Sequence, residues 1–377
     1  MSHTQALVEE SISKVLKYLE ENYTAEISAL SNEQIFSPKT LKSKVKGTLE
    51  KFLNKLGYHI AKVETVKKLE EVRIGSSEKL WAVQTLVSAL KDCTRFDRAY
   101  ELLADETSKE IFDWCIRVRV ALSFIGKAGY QLFPPPVEEQ IYIKGIEEIR
   151  KGARSNRFGI DGFKLKSTPD VVFGSFIGEQ YRLPEIVEPE MGNCVLDIGG
   201  LFGETSFWFS NLVGDQGRIF CFEPVPENYR VLLENLSANG TKNIIPVNLA
   251  VGEKSGEIQI SGSGGGATAS DSGKTFSCTS IDDFVRNNNL ARVDMIKMDI
   301  EGYEMNALQG AVETLKRFKP KLAISVYHGG EDLARIPLFI EDLGLGYRMY
   351  LRHFKPVLSE TILFATTKHH NGTSLSL

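Results

Sequence analysis

Little in this sequence of 377 residues is extreme, and most of what it lacks excludes a class of protein. Cysteine is sparse. Cys93, Cys115, Cys194, Cys221 and Cys278 are widely scattered and form no CxxC pair. That excludes a disulfide scaffold and a thiolate metal knuckle, and fits reduced thiols in a reducing compartment. No run approaches the ~18 apolar residues that a membrane span needs. The opening Met1-Ser2-His3-Thr4 carries no charged-then-apolar signal, and Glu9-Glu10 interrupts the next stretch. Charge of one sign is lacking too. A net charge of −4 gives no basic field to recruit nucleic acid or a membrane surface. There is no long internal repeat, and low complexity is confined to Ser261–Ser272. The expectation is a cytoplasmic protein with no nucleic-acid partner and no membrane span.

What is present is an ordinary globular composition. The apolar fraction is 42% and the charged fraction 25%. The length suits two domains and a large core. The first third reads as helices. Val8, Ile12, Val15, Leu16 and Leu19 recur at helical spacing. Ser37-Pro38 is a helix start, and Leu41, Val45, Leu49, Phe52, Leu53 and Leu56 make one apolar face up to Gly57. The remaining positions carry Lys39, Lys42, Lys44, Lys46, Lys51 and Lys55, a solvated face or a basic patch for an acidic partner. Helical pattern continues over 78–92 and 107–128, and Pro134-Pro135-Pro136 breaks it. This predicts an α-helical domain over 1–133, which could pair subunits into a homo-oligomer. A linker and lead-in segment spans 134–190.

From 191 to 370 the texture changes. Strands are predicted at 193–198, 218–222, 243–247, 294–298, 321–326, 346–351 and 361–366. Helices are predicted at 204–213, 226–239, 304–317 and 331–343. Alternation of this kind makes a mostly parallel sheet with helices on both faces. The last two strands have no helix between them, so the last should run antiparallel.

Ligands of such sheets bind beyond the carboxyl ends of the strands. The first strand ends Val195-Leu196-Asp197-Ile198-Gly199-Gly200-Leu201-Phe202-Gly203-Glu204. Glycines there let a backbone approach a ligand closely. A pyrophosphate would be repelled by Asp197, whereas a cationic sulfonium ligand would be welcomed. The alternative is that Asp197 caps a helix. Phe222-Glu223-Pro224 ends the next strand, and Glu223 lies 20 residues past Gly203, the spacing at which such folds place a ribose-binding acid. Asn248-Leu249-Ala250-Val251 offers an edge for an adenine pocket. Lys297-Met298-Asp299-Ile300-Glu301-Gly302-Tyr303-Glu304 and Tyr327-His328-Gly329-Gly330 follow two further strands. If those strands are neighbours, Asp299 and His328 meet. His328 could then be a general base for a hydroxyl, or Asp299, Glu301 and His328 could hold a divalent metal that lowers the hydroxyl pKa. The bland readings are helix-capping acids and a structural histidine. His353 is a weaker substrate-side candidate. The Gly-rich stretch 261–274 could be a flap or a surface loop.

Val195-Leu196-Asp197-Ile198-Gly199, Phe222-Glu223-Pro224, Leu249-Ala250-Val251-Gly252 and Lys297-Met298-Asp299-Ile300-Glu301-Gly302 together resemble FkbM-type S-adenosylmethionine-dependent methyltransferases over roughly 190–367. The resemblance implies a Rossmann-like class I methyltransferase sheet. It implies that Asp197, Gly199 and Gly203 line the S-adenosyl-L-methionine cofactor and that Glu223 holds its ribose; Gly200, Pro224 and Ala250, next to these motifs, are further candidates for the cofactor site. It places Asp299 and Glu301 at the methyl-transfer face, where the strand order would also bring His328. It also implies O-methylation of a sugar, glycolipid or natural-product hydroxyl. Two departures stand out. Gly200-Leu201 replaces the family's usual Ala-Asn, and Ser325-Val326-Tyr327-His328 keeps the histidine of Glu-x-His but not the acid. The rivals are a nicotinamide-dependent oxidoreductase, which would need the GxGxxG turn this chain lacks, and a non-catalytic nucleoside-binding or scaffold protein.

Overall fold

The computed structural model describes residues 1–30, 76–153, 156–261, 268–269 and 273–368. The lysine-bearing helix expected over 37–57 lies outside the described residues, as does part of the Gly-rich stretch. The chain divides into two compact units. One comprises Met1–Tyr100, Phe112–Pro135 and Gly329–Glu331; the other comprises Glu101–Ile111, Pro136–His328 and Asp332–Leu377.

The first unit is helical, with α1 (His3–Leu30), α2 (Ser76–Lys91), α3 (Cys93–Glu101) and α4 (Glu106–Ile125) as its main elements. Its buried residues include Val8, Ile12 and Val15 of α1, Ala82, Leu86 and Ala89 of α2, and Phe112, Cys115 and Ile116 of α4. Val8, Ile12 and Val15 of the spacing read from the sequence thus form an inward apolar stripe. No described helix is long and apolar enough to cross a membrane.

The second unit is built on a seven-stranded sheet of order β12-β13-β11-β10-β3-β4-β5. A helix α5 (Glu139–Lys151) and a hairpin, β1 (Arg157–Ile160) and β2 (Phe163–Lys166), precede it. The sheet strands are β3 (Cys194–Ile198), β4 (Arg218–Phe222), β5 (Ile244–Val247), β10 (Met295–Met298), β11 (Lys321–Ser325), β12 (Arg348–His353) and β13 (Thr361–Thr366). Pairing is parallel except at β13, which runs antiparallel to both neighbours. The expected closing strand is therefore present. Every residue of β3, β10, β11 and β13 is buried, which is why they read as mainly apolar runs without a polar alternation.

The helices are α6 (Glu204–Val213), α7 (Pro226–Asn239), α8 (Ile281–Asn287), α9 (Glu304–Gln309), α10 (Val312–Phe318) and α11 (Asp332–Asp342). Pro226 opens α7, and Gly240 closes it in the left-handed conformation. The helix expected over 304–317 is two helices. At Gly310 a Cβ would stand 2.2 Å from the Gly252 carbonyl oxygen, so close backbone contact interrupts the pattern there. Sequence reasoning also missed a second, four-stranded sheet: β6 (Ala250–Val251), β9 (Lys274–Thr279), β7 (Gly256–Ser261) and β8 (Thr268–Ala269), in that order.

The chain leaves β3 for β4 and β5 on one side, then returns to β10 and β11 on the other. The order reverses between β3 and β10, and the crevice at such a switch point is where open α/β sheets bind ligands.

Candidate active site at the β3–β10 switch point

The tip of β3 is closed. In the parallel register Lys297 stands directly opposite Asp197. Their side chains share one face of the sheet, and Lys297 Nζ lies 3.0 Å from Asp197 Oδ1. Side-chain exposure is 3% for Lys297 and 0% for Asp197. Ser206 Oγ donates to Asp197 Oδ2 at 2.6 Å, and Lys297 Nζ donates to the Gly199 carbonyl at 2.6 Å. The ammonium also lies 4.8 Å from the centroid of the Tyr181 ring. Burial alone would lower the Lys297 pKa. The Asp197 and Asp299 carboxylates outweigh it and raise it. Asp197 therefore meets its cation inside the protein, and the charge that was expected to greet a sulfonium is already neutralised.

The glycine turn has a packing reason of its own. Gly199 has φ +84°, and a Cβ on it would fall 1.8 Å from the Asp299 carbonyl oxygen. Gly203, with φ +97°, would press on Leu232. At Gly200 a Cβ would meet Cys221 Sγ at 2.2 Å. Gly199 and Gly200 both donate to the Phe222 carbonyl, at 3.1 and 2.8 Å, folding the turn across β4.

Glu223 sits beside that turn. Its Oε2 accepts from the Leu201 N–H at 3.1 Å, and its Oε1 accepts from the Val225 N–H at 2.9 Å and Asn228 Nδ2 at 3.3 Å. Burial raises its pKa to about 7 against these donors. Each carboxylate oxygen can accept two bonds, so Oε2 retains capacity for a further donor such as a ribose hydroxyl. Pro224 is half-buried and accepts from Asn248 Nδ2 at 3.2 Å. Ala250 lies in the four-stranded sheet, in an apolar cluster with Ile260 and Cys278. A cavity of about 450 Å³ runs along β4, β5 and α8, lined by residues including Phe220, Asn248, Leu249 and Phe284.

The tip of β10 is different. β10 and β11 are neighbours, so Asp299 and His328 do meet. His328 Nε2 lies 3.5 Å from Asp299 Oδ1 and 3.5 Å from Glu301 Oε2, and Nδ1 lies 2.9 Å from Glu304 Oε1. Tyr181 donates to Asp299 Oδ2 at 2.6 Å, and Tyr327 donates to Oδ1 at 3.4 Å. Burial raises the Asp299 pKa, but His328, Lys297 and the Tyr181 bond outweigh it and hold the carboxyl below its ordinary value. Glu301 has φ +55° and precedes Gly302 at φ +98°. A glutamate in this left-handed conformation costs about 1–3 kcal/mol, and such strain concentrates at functional sites. Beside this cluster lies a second one. Lys355 Nζ pairs with Asp170 at 2.8 Å and Glu360 at 3.1 Å, and Gln180 Nε2 donates to Glu360 at 3.0 Å. Tyr142 donates to Asp170. His353 is buried at the end of β12, with Nδ1 2.9 Å from Thr361 Oγ1.

The donor set that forms is not the one expected from the sequence. Asp299, Glu304 and His328 each offer one ligand atom, all within 4.8 Å of one another, and Glu301 stands outside the set. Glu304 already holds the Nδ1 of the histidine, and three carboxylates favour a proton on the ring. The expectation that Asp299, Glu301 and His328 bind a metal gains no support.

Sequence reasoning missed Lys297, Tyr181, Tyr327, Lys355, Glu360 and Gln180. Only Lys297 gave a signal. A lysine inside one otherwise apolar strand and an aspartate inside another are two buried charges that need each other.

Residues 197–349 match the model of the methyltransferase FkbM domain. Over those residues the chain is similar to FkbM methyltransferases. Among curated proteins, the chain is 25% identical over 150 residues to the hexuronic acid methyltransferase AglP of Haloferax volcanii, covering 38% of this chain and 60% of that protein. It is 32% identical over 73 residues to a protein-L-isoaspartate O-methyltransferase of Aeropyrum pernix, covering 19% of this chain and 28% of that one. The chain therefore spans less than two thirds of the length of either relative. Its fold is similar to the FkbM methyltransferase of Methylobacillus flagellatus KT, with TM-score 0.51, 18% identity, and coverage of 86% of this chain and 71% of that one. Both tips lie within the FkbM domain, whereas Tyr181, Gln180, Lys355 and Glu360 come from segments on either side of it.

Proposed function

We propose that this chain is an S-adenosylmethionine-dependent methyltransferase acting on an oxygen of a sugar or sugar-acid acceptor. The observation that carries the reading is the FkbM domain, whose strand tips set Glu223 and the Asp299–Glu301–His328 cluster along one edge of the sheet. Sugar acceptors are favoured by the relative named as a hexuronic acid methyltransferase. A hydroxyl on a glycolipid or natural product has the same chemistry.

Glu223 would hold the ribose through Oε2, and the Gly199–Gly203 turn would face the rest of the cofactor. When bound, S-adenosylmethionine supplies a methyl group on a sulfonium that needs no further activation. The protein's task is then to align the acceptor oxygen and to receive its proton. Asp299 contributes a fixed negative charge, its two oxygens oriented by Tyr181 and Tyr327.

Calorimetry with S-adenosylmethionine and NAD in parallel is the test. Binding of the first and not the second is expected, followed by transfer of radiolabelled methyl to a hexuronic-acid or neutral hexose glycoside. A chain that bound NAD, or neither nucleotide, would refute the reading.

A further inference from the structure

Three carboxylates surround the His328 ring. Glu304 reaches Nδ1, and Asp299 and Glu301 flank Nε2. Side-chain exposure is 2% for His328 and 0% for Glu304, against 20% for Asp299 and 29% for Glu301. A neutral ring would leave these acids crowded in a low-dielectric interior with only Lys297, already paired to Asp197, acting on Asp299. A ring that is already a cation cannot take a proton from an acceptor. Asp299 has a phenol on each oxygen. Glu301 is the most exposed carboxylate of the cluster, and its left-handed backbone, followed by Gly302, turns the chain at the strand tip.

We propose that Glu301 is the base of the methyl transfer and that His328 is a positioning cation that holds Asp299, Glu301 and Glu304 in place. This rests on the methyltransferase reading above. The acceptor oxygen forms a bond to the methyl carbon as the carbon–sulfur bond breaks and its electron pair stays on sulfur. The acceptor's O–H proton passes to a carboxylate oxygen of Glu301. His328 keeps its proton throughout.

The electrostatics agree. Burial lowers the His328 pKa, but Glu304, Asp299 and Glu301 outweigh it and raise it to about 10. Burial, aided by Asp299, Glu304 and Glu360, raises Glu301 to about 8 against the pull of His328. A base is most effective with a pKa near the working pH. The other titratable and charged neighbours are Tyr327, whose ring centroid lies 4.0 Å from that of His328, and, on α11, Asp332 with its partner Arg335.

The test uses the full chain with histidine rings labelled with nitrogen-15, His328 being assigned by the signal lost in His328→Gln. Both ring nitrogens are expected to remain protonated from pH 6 to 8.5 in the wild type and in Glu301→Gln. The Glu304→Gln ring should lose its proton within that range. A wild-type ring neutral at pH 7 would overturn the assignment, whatever the acceptor. The second arm measures methyl transfer from radiolabelled S-adenosylmethionine to methyl glucoside and to glucuronate oligosaccharides. Glu301→Gln should slow transfer to a hydroxyl by about 100-fold or more, with cofactor affinity within about twofold of wild type. Its rate in the wild type should rise with pH towards about 8. If Glu301→Gln, folded by its melting curve, methylated a hydroxyl at the full rate, Glu301 would not be the base. Loss of cofactor binding in the wild type would instead sink the methyltransferase reading, while the ring measurement would still decide the state of His328.

Discussion

The tips of β3 and β10 lie side by side, carry similar acidic motifs, and do opposite things with their charge. At β3, Asp197 and Lys297 form a pair sealed inside the sheet. At β10, Asp299 and Glu301 keep part of their surface open above a buried histidine. The difference is one of register and depth. Asp197 is the fourth residue of a buried strand and faces the sheet interior, whereas Asp299 and Glu301 lie just past the strand end, where the chain turns. At these two tips a carboxylate is sealed in the sheet or left partly open according to whether the strand has ended before it.

The comparison breaks first at Lys297. Lys297→Met should destabilise the protein by about 3–5 kcal/mol, because it leaves Asp197 buried without a cation. Pairing it with Asp197→Leu should recover much of that loss, since an apolar pair needs no compensation. Midpoints of denaturant unfolding for the two single variants and the double variant give the coupling. A Lys297→Met protein within about 1 kcal/mol of wild type would show the ion pair to be unimportant.

Gly199 joins the two tips, so Gly199→Ala should disturb both. A side chain there must adopt φ +84° and displace the Asp299 carbonyl from 1.8 Å. Strain and overpacking together should cost about 2–4 kcal/mol. Circular dichroism melts would measure the loss, and the His328 ring signals should move with it. Unmoved signals would mean that the tips are independent.

Glu223 probes ligand binding rather than stability. Replacing its carboxylate by an amide removes a charged acceptor and sets an NH2 group against the backbone donors of Leu201 or Val225. Glu223→Gln should weaken S-adenosylmethionine by about 10–100-fold, from the 1.5–3 kcal/mol of a charged hydrogen bond. Calorimetry showing unchanged affinity would remove Glu223 from the cofactor site.

These outcomes bear on what a sequence can disclose. The sheet was legible because burial on both faces leaves mainly apolar runs, and because missing helices, as between β12 and β13, announce a reversal. Glu223 and the approach of Asp299 to His328 were legible because strand ends are visible in a sequence and parallel neighbours bring their ends together. The pairing of Asp197 with Lys297 was not, since it depends on a register between strands about 100 residues apart. Tyr181, Lys355 and Glu360 were illegible for a related reason. They come from loops and short elements that no periodicity marks, and only the closed fold brings them together. The four-stranded sheet escaped because β6 and β8 have two residues each, too few to show an alternation.

The last way to separate the two tips is pH. His328 has its folded pKa raised to about 10, above an unfolded value of about 6.5. A raised base contributes stability that is full below the unfolded value and is lost as pH climbs towards the folded one. Between pH 6.5 and 10 each unit should therefore remove at most about 1.4 kcal/mol from this source. Glu301, raised to about 8, adds a loss of the same sign from about pH 4.5 to 8. At the other tip Lys297 is also raised, but from 10.5, so its contribution persists across that range. Melting temperatures measured from pH 6 to 9.5 should fall for the wild type and fall less for Glu304→Gln, which has lost the strongest partner of the ring. Lys297→Met should start lower and decline in parallel with the wild type. If Glu304→Gln followed the wild-type slope, the alkaline loss would belong to groups elsewhere in the chain and the β10 tip would be no more sensitive to pH than the β3 tip.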